Sequence, residues 1–384
     1  MHFHGECARS RFDGDGVASG DSSFAKRDGI QPAQSGVCCV QDAVEVTVNE
    51  PLSVLDTGNS VSADQQGNVA DLEPGRLQAF ATTIGLVSSA SKTRTIELAS
   101  TLDLRASISD RVTGDVAGGI QQAWRATRTP EGLSCMRIRV EADQIEFEAW
   151  GPGTDWSLDT APALVGLDDD PSTFEAHHDI VAKLHRRFHG LRIGRTGLIW
   201  DYLPQVILEQ KVTGIEANQS WRSLVRTFGE DAPGPEPLRI GPPPQALAAL
   251  PYHAFHSHGV ERKRADIMIN AARRVNRLEE AAAMPVEQAY ERMMAFRGIG
   301  IWTASLVLGR AIGDPDAIPI GDYHVKNTVC WALAGEPRGT DERMIELLEP
   351  YRGHRQRVVR LLHLGGISAP KYGPRTVPRD IRRH

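Results

Sequence analysis

Alternating hydrophobic and polar residues between positions 120 and 150 indicate β-strands. Residues 123–128 form one candidate strand, and residues 136–140 and 145–149 alternate with a period of two on either side of a turn-prone Glu-Ala-Asp sequence. The last two runs predict a hairpin with one apolar face. Gly151-Pro152-Gly153 ends its second strand, because glycine and proline interrupt a regular ladder.

Beyond residue 174 the hydrophobic residues recur with the spacing of short helices, which Gly and Pro interrupt. Helices are predicted over residues 203–212, 265–278 and 285–296. A proline-rich loop over residues 232–244 separates the first from the second, and Pro285 opens the third. Many short helices with one small sheet predict an α+β fold, in which a small N-terminal α/β domain with an antiparallel sheet precedes a mostly α-helical core.

Composition divides the chain into three zones. Residues 1–75 are rich in Gly, Ser, Asp and Gln and show no sustained hydrophobic period, so we expect them to be disordered. We assign residues 76–170 to the α/β domain and residues 171–384 to the helical core with a basic C-terminal tail. The acidic sequence Asp168-Asp169-Asp170 marks the boundary between the two domains.

The formal net charge of −6 is unevenly distributed along the chain. Residues 1–75 carry about −8, which leaves about +2 for the remainder. From residue 351 to residue 384, nine Arg or Lys residues stand against one acid, Asp380. A basic end of this kind favours a polyanionic partner, and the alternative is a solvated, partly disordered C-terminus.

Five cysteines are scattered without a C-x-x-C pair or a disulfide pattern, which indicates a reducing compartment. No apolar run approaches the roughly 20 residues that cross a bilayer, and no signal peptide opens the sequence. Histidines occur without the clustered ligands that a metal site needs. We therefore expect a soluble, cytoplasmic monomer without a metal site built from side chains.

Residues 296–304, Phe-Arg-Gly-Ile-Gly-Ile-Trp-Thr-Ala, lie between the third predicted helix and another that begins near Thr303. Gly298 and Gly300 each permit positive φ and a close approach of backbone N–H groups to an anion, while Ile299 would anchor the loop in the core. The following helix adds unpaired N–H donors at its N-terminus. The pattern predicts a helix-hairpin-helix that holds phosphate without a basic side chain, and a plain turn between two helices is the alternative.

Asp322 follows Pro319-Ile320-Gly321 and opens a predicted helix with Tyr323 and His324. Aspartate is favoured at the N-cap of a helix, which gives this residue a purely structural interpretation. Its position shortly after the hairpin in the sequence favours a catalytic role instead, because a single carboxylate and a phosphate-binding loop then occur together.

The combination of Gly298, Gly300 and Asp322 resembles the motif of the helix-hairpin-helix DNA glycosylases, most closely the bacterial 3-methyladenine DNA glycosylase II branch. The resemblance extends over approximately residues 76–370. Bifunctional relatives carry a Schiff-base lysine where this chain has Trp302, so the resemblance implies a monofunctional enzyme without lyase activity. The iron–sulfur branch ends in four clustered cysteines, and none follows Cys330 here, which excludes that branch.

The resemblance implies a base excision repair enzyme of the bacterial cytoplasm that binds double-stranded DNA containing damaged bases. Such an enzyme turns the target nucleotide out of the duplex and hydrolyses its N-glycosidic bond. Asp322, expected to be a buried and ionised carboxylate, would stabilise the oxocarbenium ion and orient water. Alkylated purines of the 3-methyladenine type are positively charged and need little acid to leave. No cofactor is implied beyond a monovalent cation held by hairpin carbonyls.

The same resemblance assigns DNA contacts and a base pocket. Contacts with DNA are expected from the hairpin, the helix that follows it and the segment that wedges into the duplex, which comprise Gly298, Ile299, Gly300, Thr303, Gln210 and Lys211. Trp302 and Tyr323 would line the base pocket, where an electron-rich indole face attracts a cationic base. Three positions depart from the best-known relative: Lys211 replaces an apolar wedge, Leu306 an aromatic pocket residue, and only His363 stands near an expected tryptophan.

Two alternatives stay open. The protein is a non-catalytic helix-hairpin-helix DNA-binding protein if Asp322 serves only as a helix cap. It is a glycosylase for oxidised or deaminated bases if its pocket prefers an uncharged lesion.

Overall fold

The sheet and most of the helices occupy successive parts of the chain, which confirms the predicted α+β fold. The computed structural model describes residues 91–108, 116–117, 120–371 and 381–383. The disorder predicted for residues 1–75 lies outside the described residues, as do Arg375 and Arg379 of the basic tail. Of the cysteines that are described, Cys135 and Cys330 are buried free thiols.

The larger sheet has five antiparallel strands, which are β1 (Ser91–Glu97), β2 (Val116–Ala117), β3 (Ile120–Thr129), β4 (Gly132–Glu141) and β5 (Gln144–Trp150). Their order across the sheet is β1-β5-β4-β3-β2. The predicted hairpin is confirmed as β4 and β5, with Val140 opposite Ile145. Ile138 and Phe147 are buried on the apolar face of this hairpin, where alternate side chains pack against helices.

The described residues form thirteen α-helices: α1 (Leu104–Ile108), α2 (Thr154–Leu164), α3 (Asp179–Arg187), α4 (Leu203–Glu209), α5 (Gly214–Phe228), α6 (Pro244–Ala249), α7 (Arg262–Ala272), α8 (Val275–Glu279), α9 (Val286–Met294), α10 (Ile301–Ala311), α11 (Tyr323–Ala334), α12 (Asp341–Leu348) and α13 (Arg355–Leu364). A two-stranded sheet pairs β6 (Glu230–Asp231) with β7 (Arg239–Ile240), which lies in the predicted proline-rich loop. Within the described part of the chain, no helix combines the length and apolar character that spanning a membrane requires.

Three predicted helix boundaries are wrong, each for a local reason. Helix α4 ends at Glu209, because Lys211 has a left-handed backbone with φ of 58° that an α-helix does not accommodate. The segment predicted as one helix over residues 265–278 forms α7 and α8, because Arg274 leaves the helical region at φ −125° and ψ 26°. Helix α10 begins at Ile301 rather than near Thr303, since Gly300 is already its N-cap.

Strand β3 buries polar side chains, which its sequence pattern does not predict. Trp124 is half-buried and stacks on Trp150 with 5.5 Å between the ring centroids. Arg125 and Thr127 are buried instead. Both contact the carboxylate of Asp201, Arg125 as an ion pair and Thr127 through a hydrogen bond of 2.9 Å. These contacts offset the desolvation of the buried groups and tie the sheet to the start of α4.

Basic residues of α13 stabilise the fold instead of facing a polyanion. Arg357 is buried and pairs with Asp169 at 2.6 Å, across the predicted domain boundary. Arg360 donates a hydrogen bond of 3.0 Å to the backbone carbonyl of Ala106. The prediction of a polyanion-binding basic tail is therefore wrong for Arg357, which is buried and paired with an acid.

Two apolar cores adjoin at the predicted site. Ile299 and Leu308 belong to one core, together with residues of α4 and α7. Val329 and Cys330 of α11 belong to the other, together with residues of α12 and α13. The hairpin and Asp322, which precedes α11, are therefore held by different cores, and the relative position of the cores sets the geometry of the site.

Candidate active site

The hairpin, residues 296–300, connects α9 to α10, and its two glycines differ in backbone conformation and in the space around them. Gly298 has φ of 92°, and a Cβ atom there would lie 2.4 Å from Cγ1 of Ile267. Gly300 has φ of −101°, and a Cβ atom there would meet no atom within 4 Å. The prediction of positive φ is therefore correct for Gly298 and wrong for Gly300. Ile299 is buried, as predicted for the anchor of the loop.

The N-terminus of α10 is left open by the hairpin. Gly300 is its N-cap and offers no side-chain acceptor to the first N–H groups of the helix. Helices α5 and α11 differ in this respect, since Thr213 and Asp322 cap them through their side chains. Uncapped N–H donors at a helix N-terminus suit an anion such as phosphate.

Gln210 stabilises the hairpin through two hydrogen bonds. Its Nε2 donates hydrogen bonds of 3.0 Å to the carbonyl oxygen of Gly298 and to Oγ1 of Thr303. Thr303 is buried, and its hydroxyl oxygen accepts this hydrogen bond, so its side chain does not face the surface where DNA is expected. Lys211 is exposed and, with φ of 58°, adopts a backbone that costs a non-glycine residue about 1 kcal/mol or more. Residues 210 and 211, expected to act together as a wedge, thus occupy different environments.

Asp322 is both the N-cap of α11 and a hydrogen-bond partner of the hairpin's second helix, α10. Its Oδ1 accepts hydrogen bonds from the backbone N–H groups of His324, at 2.8 Å, and Val325, at 2.9 Å. Its Oδ2 accepts a hydrogen bond of 3.0 Å from Nε1 of Trp302. The carboxylate is half-exposed rather than buried as expected, because α11 begins at the surface. Three N–H donors fix its orientation.

Trp302 and Tyr323, the two predicted pocket residues, lie in different surroundings. Trp302 is half-buried against the core behind the hairpin, and its indole N–H is directed at Asp322. Tyr323 is 62% exposed and packs edge-on against His324, with 5.3 Å between the ring centroids. Trp302 thus positions the carboxylate, whereas Tyr323 is free to contact a ligand at the surface.

A cavity of about 320 Å³ lies beside the N-terminus of α11, between α10 and α13. Its wall includes Leu306, Arg310, His324 and His363. None of the described residues that line it is a Phe, Tyr, Trp, Asp or Glu. Trp302 and Tyr323 do not line it either, so the cavity differs in character from the aromatic pocket expected from the sequence.

A second carboxyl group, Glu209, stands near Asp322 at the end of α4. Burial raises the pKa of Glu209; the nearby guanidinium of Arg310 lowers this pKa, and the negative charge of Asp322 raises it. Its side chain is nevertheless exposed to solvent, which limits how far burial can raise this pKa. Asp322 therefore has a neighbour of the same charge.

Comparison with known proteins identifies the helical part of the chain. Residues 205–352 match the HhH-GPD superfamily of base excision DNA repair proteins. The match covers less than half of the chain, so it shows similarity to this superfamily over that region. The predicted resemblance to the helix-hairpin-helix glycosylases is thereby confirmed, and every predicted site residue lies within the matched region.

Two curated proteins of Bacillus subtilis (strain 168) are similar to this chain. The DNA-3-methyladenine glycosylase is 25% identical over 195 residues, which are 48% of this chain and 64% of that protein. The protein YfjP is 26% identical over 143 residues, which are 35% of this chain and 49% of that protein. The chain therefore spans less than two thirds of the length of either relative.

Two solved structures share the fold. The 3-methyladenine DNA-glycosylase from Archaeoglobus fulgidus superposes with a TM-score of 0.58 at 22% identity, covering 71% of this chain and 98% of that chain. The Clostridium acetobutylicum 8-oxoguanine glycosylase/lyase superposes with a TM-score of 0.57 at 11% identity, covering 72% and 99%. At these identities the likeness concerns the fold of this protein and leaves its substrate open.

Sequence reasoning missed two charged residues of the HhH-GPD site, Glu209 and Arg310. Each is a charged residue at the end of an otherwise apolar helix, α4 and α10 respectively. Glu209 also directly precedes Gln210 in the expected wedge segment. The charge of Glu209 at the end of a mostly apolar helix could have marked it as a site residue. Its proximity to Asp322, however, depends on how separate helices pack, which the sequence does not show.

Proposed function

We propose that the protein is a monofunctional DNA glycosylase that hydrolyses the N-glycosidic bond of a damaged nucleotide turned out of the duplex. The observation that carries this proposal is the fixation of Asp322 by Trp302 and two backbone N–H groups. A carboxylate held in place by such donors does not need to reorient as positive charge develops on the sugar, so no free energy is lost to reorganisation. Asp322 would stabilise the oxocarbenium ion and orient the attacking water.

Damaged double-stranded DNA is the proposed partner, held by the hairpin and by the uncapped N-terminus of α10. Gly300 would admit a phosphate close to the backbone, since no protein atom occupies the space beside it. Lys211 is exposed beside this surface and is the candidate wedge. The carbonyl oxygen of Gly298 already accepts from Gln210, yet a second lone pair is left for the monovalent cation that the hairpin is expected to hold.

The absence of lyase activity follows from the side chain at position 302. An indole N–H cannot form a Schiff base with the sugar, and Trp302 directs this N–H at Asp322. Borohydride treatment during turnover should therefore trap no covalent complex with DNA. A bifunctional 8-oxoguanine glycosylase/lyase run in parallel is the positive control, and an efficient trap with this protein would contradict the monofunctional assignment.

Alkylated purines of the 3-methyladenine type are the first substrate class, because a curated relative is named for this activity. The cavity beside α11 favours a second class. Its wall contains Arg310 and His324 and, among the described residues, no Phe, Tyr or Trp, the side chains that provide cation–π contacts to a cationic base. A neutral oxidised or deaminated base, with carbonyl oxygens that accept hydrogen bonds, suits this wall better.

The test is release of free base from duplexes that carry one methylated, one deaminated or one oxidised base. We expect the wild type to release at least one of these bases and Asp322→Asn to lose at least about 100-fold in single-turnover rate. If the wild type binds DNA but releases no base, the protein is a DNA-binding module and Asp322 is only a cap. Equal rates in both forms would exclude the assigned role of Asp322.

A further inference from the structure

The C-terminal half of α3 and the loop that follows it are strongly basic. Residues 180–200 contain five Lys or Arg and no Asp or Glu. Two of the five have protein partners, because Arg195 pairs with Asp168 at 2.5 Å and Arg192 donates a hydrogen bond of 2.6 Å to Oγ of Ser100. The other three lie on α3 and are exposed; they form the α3 basic surface, which comprises Lys183, Arg186 and Arg187.

The α3 basic surface lacks a counter-charge among the described residues. Its side chains share one face of the helix, since residues three and four positions apart are neighbours there. None of the three forms an ion pair with a described residue, and the guanidinium carbon of Arg187 instead lies 5.1 Å from the ring centroid of Phe188. The helix dipole favours cations in the last turn, but Lys183 precedes that turn. Like charges at this spacing repel one another, so an anion bound here would stabilise the helix.

The α3 basic surface lies towards the end of α13 that borders the candidate active site. The two helices run in the same direction. Before their first turns, Nδ1 of His178 lies 2.7 Å from the hydroxyl oxygen of Tyr351. At the other end, Leu184 packs so closely on Gly365 that a Cβ atom there would lie 2.5 Å from Cδ2 of Leu184. His363, two residues before Gly365, lines the cavity beside the N-terminus of α11. The basic surface and this cavity are therefore at neighbouring ends of two packed helices.

We propose that the α3 basic surface binds phosphates of the duplex next to the extruded nucleotide, as a second DNA-binding surface besides the hairpin. This assignment rests on the proposed function, which supplies DNA as the partner. DNA carries a negative charge at every phosphate, and Lys and Arg side chains neutralise this charge without regard to base sequence. Three exposed cations on one helix face complement such a row of charges.

The two DNA-binding surfaces differ in how they hold phosphate. The hairpin offers the uncapped backbone N–H groups at the N-terminus of α10, whereas α3 offers three cationic side chains. Neutralisation of a phosphate by Lys or Arg releases counterions from the DNA, so each such contact makes affinity fall more steeply with salt. The α3 basic surface should therefore contribute to the salt dependence of DNA binding and not to the chemistry at Asp322.

The experiment measures binding of the full chain to a duplex with a central tetrahydrofuran abasic-site analogue, by fluorescence anisotropy over a range of KCl concentrations. The test variant combines Lys183→Gln, Arg186→Gln and Arg187→Gln. Loss of three phosphate contacts should lower the slope of log affinity against log salt by about 2.7. Between about 50 and 200 mM KCl, the wild-type affinity should then fall about 40-fold more than that of the test variant.

Two control variants isolate the local charge of α3. One removes three exposed arginines from other parts of the chain, by Arg226→Gln, Arg274→Gln and Arg338→Gln. It loses the same formal charge as the test variant and should keep the wild-type salt slope. The other combines Arg186→Lys with Arg187→Lys, which retains both charges and should also keep this slope. An unchanged slope in the test variant, or an equal decrease in the three-arginine control, would overturn the proposal.

Two further measurements separate this proposal from a structural role and from the glycosylase function. Urea unfolding should show the test variant to be at least as stable as the wild type, because repulsion on α3 is removed. Easier unfolding with an unchanged salt slope would assign the three cations to the fold alone and overturn the proposal. Base release from the lesion-containing duplexes tests the glycosylase function separately. A wild type that releases no base, but whose salt slope depends on α3, would end that function and leave the DNA-binding surface standing.

Discussion

The indole Nε1 of Trp302 lies 3.0 Å from Oδ2 of Asp322, so the first turn of α10 holds the carboxylate that begins α11. This hydrogen bond joins two apolar cores, one containing α10 and the other α11. The two oxygens of the carboxylate therefore have different roles. Oδ1 caps α11, while Oδ2 faces the helix that follows the hairpin. Structural and chemical roles of Asp322 are therefore compatible.

Removal of the indole N–H should slow base release. Trp302→Phe keeps an aromatic ring in the core but loses the donor to Asp322, and a hydrogen bond to a charged group contributes about 1.5–3 kcal/mol. We expect the single-turnover rate to fall about 10-fold to 100-fold. The control is Trp331→Phe on α11, where the tryptophan is partly exposed and the rate should not change. An unchanged rate in Trp302→Phe would refute a positioning role for the indole.

Two variants should distinguish the capping role of Asp322 from its catalytic role. Asp322→Asn retains an N-cap acceptor and should keep the free energy of unfolding within about 0.5 kcal/mol, while base release is lost. The control, Thr340→Ala, removes the cap of α12 and should cost about 1 kcal/mol with no loss of rate. Urea unfolding and base-release assays on the same preparations check both values. A rate loss in Thr340→Ala would show that activity follows stability.

The two hairpin glycines should respond differently to alanine. Gly298→Ala places a Cβ atom 2.4 Å from Ile267 at φ of 92°, so we expect unfolding to become easier by about 1–3 kcal/mol. Gly300→Ala meets no atom and has an extended backbone, so its stability should match the wild type. The added methyl group should nevertheless weaken DNA binding, because it occupies the space offered to phosphate. Binding by fluorescence anisotropy, alongside urea unfolding, would detect this, and equal DNA affinity would exclude phosphate binding at Gly300.

The sequence predicted features that depend on local rules. The alternation in β4 and β5, the burial of Ile299 between two glycines and the cap at Asp322 each follow from a few neighbouring residues. Features that depend on packing between distant segments were not predictable. Glu209 and Arg310 come together only because α4 and α10 pack side by side, and no spacing along the chain encodes this.

Glu279 should make stability fall as pH rises through the weakly acidic range. Its carboxylate oxygens accept from the N–H groups of Ile199 and Trp200, yet burial raises its pKa from 4.5 to about 6. The folded state thus binds this proton more tightly, and the resulting stabilisation is complete below pH 4.5 and lost above about pH 6. A shift of this size corresponds to about 2 kcal/mol. Urea unfolding across this pH range should show that Glu279→Gln does not lose stability as pH rises, whereas the wild type and the exposed control Glu291→Gln do. Parallel pH profiles of stability for all three proteins would disprove the role of Glu279.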